Sequence, residues 1–114
     1  MLVEDSADIR ETMRALLELR GHVVLDASDG AAGVALVEEQ QPDVALIDLG
    51  LPGLDGFAVA TALRTSGTST RLVAVSGYGR PEDRARSSDA GFDAHLVKPI
   101  DPAQLELLLR QLAS

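Results

Sequence analysis

Five short apolar runs, each followed by a stretch with helical periodicity, constrain this chain more than any other feature. The runs are "MLV" (1–3), "HVVLDA" (22–27), "VALID" (44–48), "RLVAV" (71–75) and "AHLV" (94–97). Four are near-continuous rather than alternating, the pattern of strands buried on both faces of a sheet. "HVVLDA" is mixed and suits a sheet edge. Between the runs, Ile9, Met13, Leu16 and Leu17 recur at helical spacing, with Ser6 placed as N-cap and Gly21 just past the end. Leu105, Leu108, Leu109 and Leu112 repeat that pattern after Asp101-Pro102. Residues 30–40 and 57–65 are shorter and Ala-rich, while 81–90 starts like a helix but carries almost no apolar face. This alternation predicts an α/β fold: a parallel sheet with right-handed crossovers and helices on both faces.

The length of 114 residues suits one domain, spanning 1–114, with a single core. Aromatic residues make up only 3%, so that core must be built from Leu, Val, Ile and Ala. The chain has no cysteine, which excludes disulfides and thiolate metal sites. No apolar run approaches the ~18 residues needed to span a bilayer, and the acid at position 4 is incompatible with a signal peptide. A net charge of −8 repels nucleic acid and anionic membranes, so neither is an expected direct partner.

In sheets of this kind ligands bind beyond the carboxyl ends of the strands, so the residues that close each strand carry the information. The first strand closes on Glu4-Asp5, the third on Asp48, the fourth on Ser76-Gly77 and the fifth on Lys98-Pro99. Lys98 is the sole lysine beside nine arginines. Each group has an ordinary reading. Acids favour the first turn of a helix, Asp48 can simply end a strand, and "LPGLDGF" is a serviceable turn before a helix capped by Asp55. Their convergence on four strand exits of one sheet favours a shared site. Three carboxylates held close raise one another's pKa, and a hard divalent cation such as Mg²⁺ resolves that conflict. A compact ammonium then balances the remaining charge where an arginine fork is too large.

With those residues in view, "LVEDSADIRETMRALLE", "PDVALIDLGLPGLDGF", "LVAVSGYG" and "GFDAHLVKPID" closely resemble the receiver domain of bacterial two-component response regulators, over essentially the whole chain. The resemblance implies a flavodoxin-like doubly wound (βα)5 fold with strand order 2-1-3-4-5. It implies that Asp48 is the phosphoacceptor, taking a phosphoryl group from a phosphohistidine on a sensor histidine kinase or a histidine phosphotransfer protein. By the same resemblance Asp5, Glu4, Asp48 and the Gly50 backbone carbonyl hold Mg²⁺ or Mn²⁺. Lys98, the Ser76 hydroxyl and the backbone N–H groups of Leu49 and Gly77 contact the phosphoryl oxygens. The Lys98–Pro99 bond is expected to be cis. Ser76 and His95 take the switch positions, and Gly50 and Tyr78 those that tune hydrolysis. A cytoplasmic location and an output partner on the face of the fourth helix, fifth strand and fifth helix complete the expectation.

The chain departs from the family pattern in two further places. His95 stands where Tyr or Phe is commoner. The first strand is clipped to "MLV", which suggests a trimmed or excised domain and a weakened strand. Details of the last segments resemble receivers fused behind hybrid sensor kinases, and a free-standing receiver reads the same. Two other readings compete. A haloacid-dehalogenase-type phosphohydrolase also uses an aspartyl nucleophile, but it expects that residue after the first strand with a second Asp two positions on, where this chain has Gly50. A degenerate receiver that only binds partners is the other, and the intact set of Asp5, Asp48, Ser76 and Lys98 argues against it.

Overall fold

The computed structural model describes residues 1–51, 53–77 and 81–113, with side chains described outside 81–84 and 113. Its elements run β1 (Leu2–Val3), α1 (Ala7–Leu19), β2 (Asp26–Ala27), α2 (Gly30–Gln40), β3 (Val44–Asp48), α3 (Gly56–Thr65), β4 (Arg71–Ser76), α4 (Pro81–Ala90), β5 (Ala94–Val97) and α5 (Pro102–Ala113). The sheet is parallel throughout, in the order β2-β1-β3-β4-β5. Three helices start on a side chain that satisfies an orphan N–H. Ser6 accepts from Ile9, Asp29 from Ala32 and Asp55 from Ala58.

The sheet's two faces bury separate aliphatic clusters. Val3, Ala45, Ile47, Leu72 and Ala74 meet Val37 of α2 and Val59, Ala60 and Leu63 of α3. On the other face Leu2, Leu46, Val73, Val75 and Leu96 meet Leu17 of α1 and Leu105 of α5. Central strands apolar on both faces are what such a sandwich requires.

One strand is shorter than its sequence predicts. The run 22–27 pairs only at Asp26–Ala27, and Val23 is 93% exposed. As an edge strand it can pair only with β1, and β1 offers two residues, Leu2 opposite Asp26 and Val3 opposite Ala27. The short first strand thus sets the length of the second.

Arg64, near the end of α3, ties together three segments. It donates to the carbonyls of Gly91 (2.8 Å), Thr68 (3.3 Å) and Thr70 (3.0 Å), and to Asp93 Oδ2 (2.8 Å). The same Asp93 oxygen accepts from the Leu72 N–H at 2.8 Å. Gly91 has φ +105°, and a Cβ there would lie 2.5 Å from Arg64 Cγ, so both conformation and space call for glycine.

The register aligns the strand exits. Leu2 and Val3 lie beside Leu46 and Ile47, so one further step places Glu4 next to Asp48. Asp48 lies beside Val75, and Ser76 beside Val97, the residue before Lys98.

Candidate functional site

Asp48 is buried at the carboxyl end of the central strand, and both of its oxygens are engaged. The Gly50 N–H donates to Oδ1 at 3.0 Å, and Lys98 Nζ donates to Oδ2 at 3.3 Å. The ammonium also donates to Glu4 Oε1 at 3.3 Å. Both lysine contacts exceed the ~2.7–2.9 Å of a tight charge-assisted bond, as befits a cation shared between two acids. The Lys98–Pro99 peptide is cis, and the Lys98 N–H bonds the Ser76 carbonyl at 2.7 Å.

Glu4 is buried, and among the described residues its Oε2 has no hydrogen-bond partner. Asp5 is exposed. Glu4, Asp5 and Asp48 each offer a carboxylate oxygen, and these lie within 4.8 Å of one another. Burial, then the adjoining Asp48, pushes Glu4 up to about 7, against the opposing pull of Lys98. For Asp48 burial works against ionisation. The Glu4 carboxyl, the Gly50 N–H and the Lys98 ammonium outweigh it and hold Asp48 below the usual carboxylate range. Burial also opposes the charge on Lys98, but the two acids more than compensate and raise its pKa. Asp48 is therefore a carboxylate and Lys98 an ammonium at neutral pH, with Glu4 poised to share the cluster's proton. An unpartnered buried acceptor among three close hard oxygen donors fits a divalent cation of the Mg²⁺ or Mn²⁺ type.

A pH prediction follows from Glu4. Between its ordinary value of 4.5 and about 7, the folded protein holds a proton that the unfolded chain has released. Stability of the metal-free protein should therefore fall as pH rises through that window and level off above it. Thermal melts in chelator should record a declining midpoint, and Glu4→Gln should remove this part of the decline. An unchanged slope in the variant would mean that another group titrates there.

Of the residues expected at the site, Glu4, Asp5, Asp48, Gly50 and Lys98 come together at one rim. Ser76 ends β4 at that rim, where its Oγ lies 2.7 Å from His95 Nε2. Gly77 follows it and is exposed; a Cβ there would meet nothing within 4 Å among the described residues. Tyr78 lies outside the described residues. The Leu49 N–H, expected to contact a phosphoryl oxygen, donates here to the Val75 carbonyl at 2.9 Å, because the β3–β4 ladder runs one residue past Asp48. A residue that sequence reasoning missed is Ser87, buried in α4 with its Oγ 3.4 Å from His95 Nδ1. Its only signal was a serine in a helix with no apolar face to bury.

Comparison with known proteins bears on the family and the fold. The family profile "Response regulator receiver domain" matches residues 1–110. The chain is 35% identical over 112 residues to the two-component response regulator PhoP of Pseudomonas aeruginosa, covering 98% of this chain and 50% of that protein. It is 32% identical over 110 residues to a probable transcriptional regulator, ycf27, of Guillardia theta, covering 96% of this chain and 43% of that protein. The chain thus spans about half the length of these relatives. Among solved structures it resembles the receiver domain of the sensor histidine kinase PA1611 from P. aeruginosa, which has a magnesium ion coordinated in its active-site cleft. The TM-score is 0.91 at 29% identity, covering 99% of this chain and 95% of that one. It also resembles the Vibrio cholerae chemotaxis protein CheY4, with TM-score 0.91 and 27% identity, covering 97% and 94% of the two chains.

Proposed function

Because the chain belongs to the response regulator receiver domain family of two-component signalling, we propose that Asp48 is its phosphoacceptor and that Asp48, Glu4 and Asp5 hold the Mg²⁺ or Mn²⁺ that supports the transfer. The observation that carries this reading is the fixing of Asp48. A buried carboxylate, kept ionised, is pinned through one oxygen by the Gly50 N–H and through the other by Lys98. Little covalent work is required of the protein in phosphoryl transfer beyond one positioned oxygen and matched charge.

The phosphorus–nitrogen bond of a donor phosphohistidine breaks as a bond forms from phosphorus to an Asp48 oxygen, and the donor imidazole departs with its electron pair. Lys98, already ammonium, is positioned to donate to a phosphoryl oxygen as negative charge moves toward Asp48. Ser76 offers a hydroxyl from the same rim. When bound, the divalent cation neutralises charge on the acids and on the incoming phosphoryl oxygens. The product is a mixed anhydride, open to hydrolysis at the same site, so the signal is transient.

The donor we assign is a histidine kinase or histidine phosphotransfer protein. A groove of about 500 Å³ lined by Ile9, Met13, Pro99 and Ile100 reaches Lys98 and supplies an apolar landing beside the nucleophile. The output partner belongs on the face of α4, β5 and α5, where Leu107 is 58% exposed. None of the described helices is long and apolar enough to cross a membrane, and we place the domain in the cytoplasm with its donor. The test is incubation with Mg²⁺ and acetyl phosphate, read by intact mass, then peptide mapping after borohydride reduction. One phosphoryl group by intact mass and, after reduction, homoserine in place of Asp48 with the phosphate released, both absent in chelator, are the expected result. An adduct on a different peptide would refute the assignment.

A further inference from the structure

The two acids that precede α1 differ in what holds them. Glu4 is buried, and its Oε1 accepts from Lys98 at 3.3 Å. Asp5 is exposed, and among the described residues its carboxylate accepts no hydrogen bond. The direction of the Asp5 side chain therefore depends on the backbone of residues 4–6.

That backbone lies past the end of its ladder. The Glu4 N–H bonds the Ala27 carbonyl at 3.1 Å, one residue beyond β1. In a parallel sheet the N–H and C=O of one residue face the same neighbour, so the Glu4 carbonyl also turns toward β2. Pairing with β2 ends at Ala27, and Asp29 already caps α2. Among the described residues no backbone N–H reaches the Glu4 carbonyl. Arg10 fills the place: from the first turn of α1 its Nη1 donates to that carbonyl at 2.9 Å. The Arg10 N–H meanwhile donates to the Ser6 carbonyl at 2.9 Å. One residue thus closes the segment from both ends, with Asp5 between them.

We propose that Arg10 is a positioning residue for the divalent cation: its bond to the Glu4 carbonyl fixes the turn that aims Asp5 at the oxygens of Glu4 and Asp48. This rests on those three acids being the ones that hold the cation. Arg10 acts on the cation in two opposed ways, because it also lines a cavity of about 30 Å³ with Glu4, Asp48 and Lys98. Its charge repels a second cation nearby, so removal of the charge alone strengthens metal binding. Its hydrogen bond orients an acid that nothing else fixes, so removal of the bond weakens metal binding. Salt screens the charge of a half-exposed guanidinium but not the bond, and the bond wins. Arg10 holds the backbone of a ligand residue rather than a ligand atom. Its effect therefore falls below the roughly tenfold to hundredfold of partners that bond the ligand atoms themselves.

The experiment titrates Mg²⁺ into native, Arg10→Met and Arg10→Lys protein labelled with nitrogen-15 and carbon-13, read on the folded-state NMR signals of Glu4, Asp5 and Asp48. Methionine keeps the apolar stem and loses both charge and donor, while lysine keeps both. Arg10→Met is expected to bind Mg²⁺ about threefold to tenfold more weakly, at low and high salt alike. Its Glu4 carbonyl carbon should move upfield as the hydrogen bond is lost. Arg10→Lys should bring both readouts back toward the native values. A merely structural role would lower the melting temperature of Arg10→Met and leave the Mg²⁺ affinity of the folded protein unchanged. That result, or tighter binding in Arg10→Met, would overturn the proposal while native protein still binds the metal. Native signals that ignore Mg²⁺ would instead overturn the metal-site reading and this inference with it.

Discussion

Asp48→Asn is expected to show no phosphoryl adduct under conditions that label the native chain with Mg²⁺ and acetyl phosphate, a loss of at least about a hundredfold in rate. The amide fits the same space and can still accept from Gly50 through its oxygen. What it loses is the charge that makes the oxygen nucleophilic and that Lys98 now faces at 3.3 Å. The variant should also bind Mg²⁺ more weakly, having one carboxylate fewer. In metal-free protein the Glu4 pKa should fall, because Asp48 raises it both by its charge and by hydrogen bonding. It should stay above 4.5, since burial is the largest cause and burial persists. An adduct that survives in Asp48→Asn would identify another acceptor and end the present reading.

The second large effect concerns packing behind the site. Gly56→Ala would place a Cβ 2.6 Å from the Asp48 carbonyl oxygen and 2.8 Å from Leu49 Cα. Both atoms are backbone and cannot rotate away, so α3 and the end of β3 must separate. Overpacking of this kind costs about 1–3 kcal/mol, and the rigid neighbours put this case at the upper end. Because the displaced strand carries the nucleophile, phosphorylation should slow in the fraction that remains folded. Gly77→Ala is the contrast: a Cβ there meets nothing within 4 Å among the described residues, and the change should fall within about 0.5 kcal/mol. Urea melts of the two variants against the native chain give the comparison. Equal stabilities would mean that α3 shifts freely, and that the strand end is not clamped by Gly56.

How much of this was legible in the sequence depended on range. Buried parallel strands write continuous apolar runs, so the exits of β1, β3, β4 and β5, and with them Glu4, Asp48, Ser76 and Lys98, could be read directly. The register that sets Glu4 beside Asp48 follows once those strands pair in parallel. The extent of β2 was not legible, because it is fixed by a partner strand rather than by its own residues; Val23 looks like a strand residue and faces solvent. The extra rung at Leu49 was hidden for the same reason. Ser87 and Arg64 were out of reach altogether. Their partners lie on other elements, and a serine or arginine in a polar helix reads as a solvated face until coordinates show what it touches.

The Arg64 contacts carry a mechanical consequence. They hold the carbonyl of Gly91, directly after α4, while Phe92 is sunk in the core and the Asp93 N–H is bonded to Leu72 at 2.7 Å. The carboxyl end of α4 is thus a fulcrum, and any travel of this helix is a swing about Gly91. Ser87 sits one turn from that pivot, so a displacement of tenths of an ångström at its hydroxyl becomes a larger sweep at the lever's far tip.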